Sequence, residues 1–118
     1  MQKEGELKKA IEDNLQLRMN RGELFWDRLN SGAIFPHYGG KTYKVKLCRE
    51  GSADIFVLAA GDMTGCRVLY LEMKTRKGKQ GEEQRHFEED VTMFGAQYAL
   101  VRTFDEYLKV IEGFLGAA

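Results

Sequence analysis

Three consecutive stretches decide the fold: Asp54-Ile55-Phe56-Val57-Leu58-Ala59-Ala60, then Gly61-Asp62-Met63-Thr64-Gly65, then Arg67-Val68-Leu69-Tyr70-Leu71-Glu72-Met73-Lys74-Thr75. The outer two are apolar and of strand length, and the glycine-bounded turn between them predicts a hairpin of two central strands. Downstream, Glu82 to Phe94 predicts a helix with Phe87, Val91 and Phe94 as its apolar stripe and Gly95 as its stop. Tyr98 to Val101 reads as a short buried strand, and Asp105 to Leu115 as an amphipathic helix with Leu108, Ile111 and Leu115 inward. Upstream, residues 4–19 predict a helix with Leu7, Ile11, Leu15 and Arg18 on one stripe, ended by Asn20-Arg21-Gly22. Leu24 to Leu29 is strand-like. Phe35 to Lys46 is aromatic, basic and interrupted by glycine, which fits a long loop or an irregular hairpin. The order αβ(β)ββαβα predicts a mixed α/β domain.

The chain has 118 residues, which suits a single domain spanning 1–118. With 43% hydrophobic and 31% charged residues, it can build a core, which excludes general disorder. No run approaches the roughly 18–20 apolar residues of a membrane span, and Met1-Gln2-Lys3-Glu4 is not expected to open a signal peptide. Cys48 and Cys66 are expected to be reduced thiols. They lack the paired spacing of structural zinc, and His37 and His86 stand alone.

Charge is balanced at 18 basic against 18 acidic side chains, but unevenly placed. Residues 1–81 carry 15 basic and 10 acidic groups; residues 82–118 carry 3 basic and 8 acidic. Two runs hold cations and no acid: Lys41, Lys44, Lys46 and Arg49 in one, Lys74, Arg76, Lys77 and Lys79 in the other. Local potential, not the total, governs attraction of a polyanion. Such runs are equally common as solvated loops, so they gain meaning only by flanking a site.

Charges at the ends of buried strands need a reason. Asp54 opens one central strand, while Glu72 and Lys74 close the next. Glu72 and Lys74 are two apart, so they share a face about 7 Å from each other. Hairpin pairing would bring all three to one end of the sheet. Neighbouring carboxylates repel unless a cation lies between them, and an oxygen-only cluster suits Mg²⁺ or Mn²⁺. A lysine beside them can orient or deprotonate a water, or stabilise charge developing on a phosphate. A strand-end salt bridge would use Glu72 and Lys74 equally well, and a second Glu-x-Lys occurs at Glu6-Leu7-Lys8. Gln84 lies three residues before Phe87, and Glu4 three before Leu7, so both begin apolar stripes aimed toward the same place.

Gly51-Ser52-Ala53-Asp54, Glu72-Met73-Lys74 and Gln84-x-x-Phe87 together resemble the PD-(D/E)xK nuclease pattern. The fuller run Leu71 to Lys79, with Gln84, Gly95-Ala96 and Val101-Arg102-Thr103, is similar to its VRR-NUC (virus-type replication-repair nuclease) branch. The resemblance spans Glu4 to Tyr107. It departs from the branch at Ala53, where proline is frequent, and at Glu50, where a basic residue is more usual. It implies a restriction-endonuclease-like core of αβββαβ, a mixed central sheet flanked by helices, and metal-dependent phosphodiester hydrolysis. It makes Asp54, Glu72 and the Met73 carbonyl ligands of Mg²⁺ or Mn²⁺. Lys74 would position the nucleophilic water, with Gln84 supporting the site and Glu4 acting through a metal-bound water. Stand-alone members are phage or bacterial and resemble Holliday-junction resolvases, which implies a cytoplasmic homodimer acting on branched DNA such as a four-way junction. Lys41, Lys44, Lys46, Arg76, Lys77 and Lys79 are then the expected DNA contacts.

Three classes compete: a structure-selective endonuclease, resolvase-like or directed at flaps and single strands; a DNA-binding module of the same fold without chemistry; and a small interaction protein. Metal-dependent turnover separates them. Phe25, Trp26, Phe35, Tyr38 and Tyr43, clustered before the central hairpin, suit an interface with a second copy or with splayed DNA.

Overall fold

Side-chain alternation organises the central hairpin. In the computed structural model, which describes residues 3–61 and 65–116, Ile55, Val57 and Ala59 are buried and Phe56 and Leu58 turn to the opposite face. The chain runs α1 (Glu4–Asn20), β1 (Phe25–Arg28), β2 (Ala33–Ile34), β3 (His37–Tyr38), β4 (Lys41–Thr42), β5 (Val45–Lys46), β6 (Ile55–Ala60), β7 (Cys66–Met73), α2 (Glu82–Met93), β8 (Gln97–Val101) and α3 (Phe104–Gly116). The main sheet has the order β1-β6-β7-β8. Its first two pairings are antiparallel and the last is parallel, with α2 as the crossover that a parallel pair requires. The fold is therefore α/β with a mixed sheet. Asp62, Met63 and Thr64 of the expected hairpin turn lie outside the described residues.

Helices α1 and α3 cover one face. Leu7, Ile11 and Leu15 join Ile55, Val57, Leu69, Leu71, Met73 and Val101 from the sheet and Tyr107, Ile111 and Phe114 from α3 in one core. Each fully buried Leu or Ile contributes on the order of 1.5–3 kcal/mol. A polar clasp fastens the two helices: the Tyr107 hydroxyl donates to Asn14 Oδ1 at 2.7 Å, and Arg18 Nε donates to the same oxygen at 2.8 Å. Helix α2 covers the other face, where Phe87 meets Tyr70 edge-on with ring centroids 5.1 Å apart.

Three local expectations are revised. The buried stripe of α3 is Tyr107, Ile111 and Phe114, with Leu108 and Leu115 only partly covered, because the helix presents a face rotated by one residue. Phe94 is 88% exposed rather than inward. It caps α2 beyond the last helical residue, over a shallow groove of about 550 Å³ whose floor includes Cys66, Arg67 and Val68. The aromatic cluster divides. Trp26 packs on the core and Phe25 stacks near Phe56 at 6.0 Å, whereas Phe35, Tyr38 and Tyr43 stand exposed on an arm built from β2 to β5. The arm stretches the molecule to 52 × 39 × 30 Å and its radius of gyration to 15.8 Å, against about 13.5 Å for a compact chain of this length.

Candidate active site

The lead-in to Asp54 is rigid for a local reason. Gly51 has φ +87°, and a Cβ there would lie 2.5 Å from the Glu83 backbone, so the loop lies backbone-to-backbone on the first turn of α2. Ser52 is buried, and its N–H and hydroxyl both donate to the Arg49 carbonyl, at 3.1 and 2.6 Å. Arg49 in turn ion-pairs with Asp90 of α2 at 2.9 Å.

Ile55 pairs with Leu71, so one further step of that register sets Asp54 against Glu72. The regular ladder stops there. The Asp54 N–H donates to the Leu71 carbonyl at 3.0 Å, and the Asp54 carbonyl accepts from the Leu29 N–H at 2.8 Å. The carboxylate then stands in for a backbone acceptor: Asp54 Oδ2 takes the Met73 N–H at 2.8 Å. This fixes one oxygen and leaves Oδ1 facing Lys8 Nζ at 3.5 Å.

Glu72 is only 3% exposed. Its Oε2 lies 3.8 Å from Lys74 Nζ, while Oε1 is buried with no hydrogen-bond partner among the described residues. Burial first, and then the charge of Asp54, push the Glu72 carboxyl from an ordinary 4.5 up to about 8; the opposing pull of Lys74 and Lys8 is too small to prevent it. Tyr98 lies near the same end of the sheet, its hydroxyl raised by burial to about 12 and accepting a hydrogen bond from Gln80 Nε2 at 3.3 Å. Glu72 shares its face with Tyr70, the α2 side, whereas Lys8 arrives from α1 on the other side. The cluster thus straddles the sheet end, with one lysine from each face.

Lys74 prolongs the strand by donating its N–H to the Val101 carbonyl at 3.0 Å. The following turn closes through Gly78 N–H, which reaches the Thr75 carbonyl at 3.1 Å and Thr75 Oγ1 at 3.2 Å. The Arg102 guanidinium clamps that turn, donating to the Thr75 carbonyl at 2.8 Å and also to the Gly78 carbonyl. Arg76, Lys77 and Lys79 are exposed on or just after this turn, as Lys41, Lys44 and Lys46 are on the arm.

The structure brings Asp54, Glu72 and Lys74 together and adds Lys8, to which the sequence pattern assigned no role. Lys8 belongs to the second Glu-x-Lys, Glu6-Leu7-Lys8, and its position one residue after the buried Leu7 was the available signal. Gln84 is otherwise engaged: its Oε1 accepts the Gly81 N–H at 2.8 Å, satisfying the start of α2. Glu4 lies half-buried in the first turn of α1. Among the described residues neither makes a hydrogen bond or ion pair with the cluster, and no group of three or more His, Cys, Asp or Glu side chains is gathered for a metal. Two carboxylates, one of them carrying a buried orphan oxygen, nevertheless form a hard-oxygen pair that fits a divalent cation. Beside Asp54 opens a cleft of about 990 Å³, walled by Lys8, Lys9, Arg28, Ile34, Leu47 and Met73.

Comparison with protein-family models, with curated proteins and with solved structures finds no match for this chain. Among the described residues no helix is long and apolar enough to cross a membrane.

Proposed function

We propose that the chain is a Mg²⁺- or Mn²⁺-dependent, structure-selective DNA endonuclease, acting as a homodimer on branched DNA in the manner of a Holliday-junction resolvase. The observation that carries this is the meeting of Asp54, just before β6, with Glu72 near the end of β7, Lys74 at 3.8 Å and a buried Glu72 oxygen without a partner among the described residues. A salt bridge between Glu72 and Lys74 alone would not need a second carboxylate fixed beside it by a backbone hydrogen bond. The order α1-β1-β6-β7-α2-β8 is compatible with the αβββαβ core that the sequence resemblance implies.

Asp54, Glu72 and the Met73 carbonyl would hold the metal, which when bound lowers the pKa of a water and offsets charge on the scissile phosphate. Glu72 must surrender its proton for this, a loss that Lys74 favours. Lys74 then orients the attacking water and, from the exposed turn beyond it, Arg76, Lys77 and Lys79 grip phosphates without reading sequence. Lys8 holds Asp54 Oδ1 and has to release or share it when the site is loaded. A twofold pair of chains would give a four-way junction its two matched cuts.

A flap- or single-strand-directed nuclease is favoured by one observation, the exposed aromatic residues of the arm. The test uses labelled four-way junction, flap, single-stranded and duplex DNA with and without Mn²⁺. Metal-dependent cutting lost in Glu72→Gln and Lys74→Ala supports a nuclease, and paired nicks on the junction support the resolvase form. A 13.5 kDa particle in light scattering with unpaired nicks moves the assignment to flaps or single strands. No cutting of any substrate with either metal sinks it.

A further inference from the structure

We propose that the arm of residues 31–48 is a clamp for unpaired nucleic acid, stacking bases on one aromatic face and leading that strand to the cleft beside Asp54. The proposal rests on the nuclease assignment only for what the strand meets at the end of its path.

The arm is one hairpin, although its ladder is interrupted. Ala33 with Lys46, Ile34 with Val45, His37 with Thr42 and Tyr38 with Lys41 all keep a single register. The gap between these pairs is bridged by the Tyr43 N–H donating to the Pro36 carbonyl at 3.0 Å. Pro36 has no N–H to return the bond, which is why the ladder breaks there. Gly39 and Gly40 turn the tip with φ of +60° and +78°, the pair of left-handed residues that a tight two-residue hairpin needs.

A constant register sorts side chains to two faces. Ile34, Pro36 and Tyr38 fall with Lys41, Tyr43 and Val45 on one; Phe35 and His37 fall with Thr42, Lys44 and Lys46 on the other. His37 Nδ1 lies 3.1 Å from Thr42 Oγ1, as cross-strand partners on a shared face should. The first face is apolar and aromatic yet bare: Tyr38 is 78% exposed, and Ile34, Tyr43 and Val45 are exposed as well. A lone two-stranded ribbon is marginal in water and gains nothing from displaying such a face unless something covers it.

Charge decides what covers it. From Arg28 to Arg49 the sequence contains no Asp or Glu, while Lys41, Lys44 and Lys46 line the arm's second strand. An apolar protein surface would match the aromatic residues but bury Lys41, which shares their face, without a counterion. Unpaired nucleic acid matches both, with flat base faces for Tyr38 and Tyr43 and a phosphate for Lys41 beside them. A duplex keeps its base faces stacked internally and can satisfy only the lysines. The path is continuous, since Ile34 and Leu47 at the foot of the arm are walls of the cleft that reaches Asp54.

The test reads binding without metal, so turnover plays no part. Anisotropy with a labelled oligo-dT strand and a blunt duplex of equal length is compared for wild type, Tyr38→Ala/Tyr43→Ala and Lys41→Ala. The tyrosine pair should weaken oligo-dT binding at least about 30-fold and duplex binding no more than about twofold, since each stack is lost only where a base is free. Tyr38→Phe/Tyr43→Phe should restore the oligo-dT affinity. Lys41→Ala should weaken both ligands and reduce the salt slope on oligo-dT by about 0.7. Unchanged melting of each variant checks that the fold is intact. Equal loss on both ligands, unchanged oligo-dT affinity, or conversion of a dimer to a monomer by the tyrosine pair would each overturn the clamp; the last would make the arm an interface between copies. Arm-dependent oligo-dT binding by a protein that cuts nothing would uphold the clamp and sink the nuclease. Cutting of junctions with oligo-dT affinity indifferent to the arm would do the reverse.

Discussion

Replacing Glu72 by Gln should make the metal-free protein more stable above neutral pH and no more stable near pH 5. Gln keeps the volume of the buried side chain and removes its charge. The wild-type carboxyl is raised from 4.5 to about 8, so between those values the folded state binds a proton that the unfolded chain has released. Stability is therefore fully present below about pH 4.5, declines as pH rises, and levels off beyond about pH 8. Each pH unit between those two values corresponds to about 1.4 kcal/mol, so the ceiling on the loss is about 5 kcal/mol. Glu72 is almost wholly buried, so solvent screening removes little of this, whereas water entering the strand end removes more. Denaturant melts in EDTA from pH 5 to 9 should show wild type falling and Glu72→Gln staying flatter, separated by a few kcal/mol at pH 8.5. Mn²⁺ at pH 7.5 should then restore the wild type and not the variant, releasing on the order of three-quarters of a proton per site as it binds. Parallel pH profiles for the two proteins would refute the burial of a titrating carboxylate, and a wild type more stable at pH 8.5 would show that Lys74 outweighs burial.

Four further outcomes follow from the same contacts. Asp54→Asn should abolish cleavage yet cost less than about 1 kcal/mol in a melt, because the amide oxygen can still accept the Met73 N–H and the lost pair with the partly exposed Lys8 is worth little. Lys74→Ala should lose turnover but retain Mn²⁺-induced stabilisation in calorimetry, since lysine is no metal ligand. Arg102→Ala frees the Thr75 and Gly78 carbonyls and should cost about 1–3 kcal/mol, with a larger fall in kcat than Arg76→Ala produces. Gly51→Ala meets the Glu83 backbone at 2.5 Å in a left-handed conformation, so thermal melting should show a loss above about 3 kcal/mol or no soluble protein.

What the sequence made legible is what depends on near neighbours in the chain. Leu7, Ile11 and Leu15 are buried as their spacing requires, and the pairing of Asp54 with Glu72 follows from two apolar runs joined by a short turn. Gln84 shows where local inference competes with itself. Its place before Phe87 aims it toward the strand end, but the same place is the third residue of a helix whose first N–H groups lack partners, and the Gly81 N–H claims it. Phe94 satisfied the helical period yet lay one step past the helix, so periodicity counted a residue that the backbone no longer carried inward. Lys8 was hidden for a different cause. Its partner Asp54 is distant in sequence, and only the docking of α1 on the sheet brings them to 3.5 Å.

That hidden lysine alters the physical picture of the site. With Lys74 alone, two carboxylates would share one cation, and a divalent ion would be the obvious relief of their repulsion. With Lys8 present, the two acids and two lysines are formally balanced, yet Glu72 still prefers its proton. Balance of formal charge is therefore not what governs the cluster; position is. Lys8 is partly solvated and holds Asp54, the more exposed acid, so its field is partly screened before it reaches Glu72. Lys74 lies closer but at 3.8 Å makes no good hydrogen bond, so Glu72 is held by burial and by the Asp54 carboxylate beside it. A buried carboxyl that keeps its proton beside two lysines is held so by burial and by Asp54, and only a charge placed directly on its oxygens could outweigh both. This is the physical ground on which we propose a divalent cation, rather than a salt bridge alone, at this sheet end.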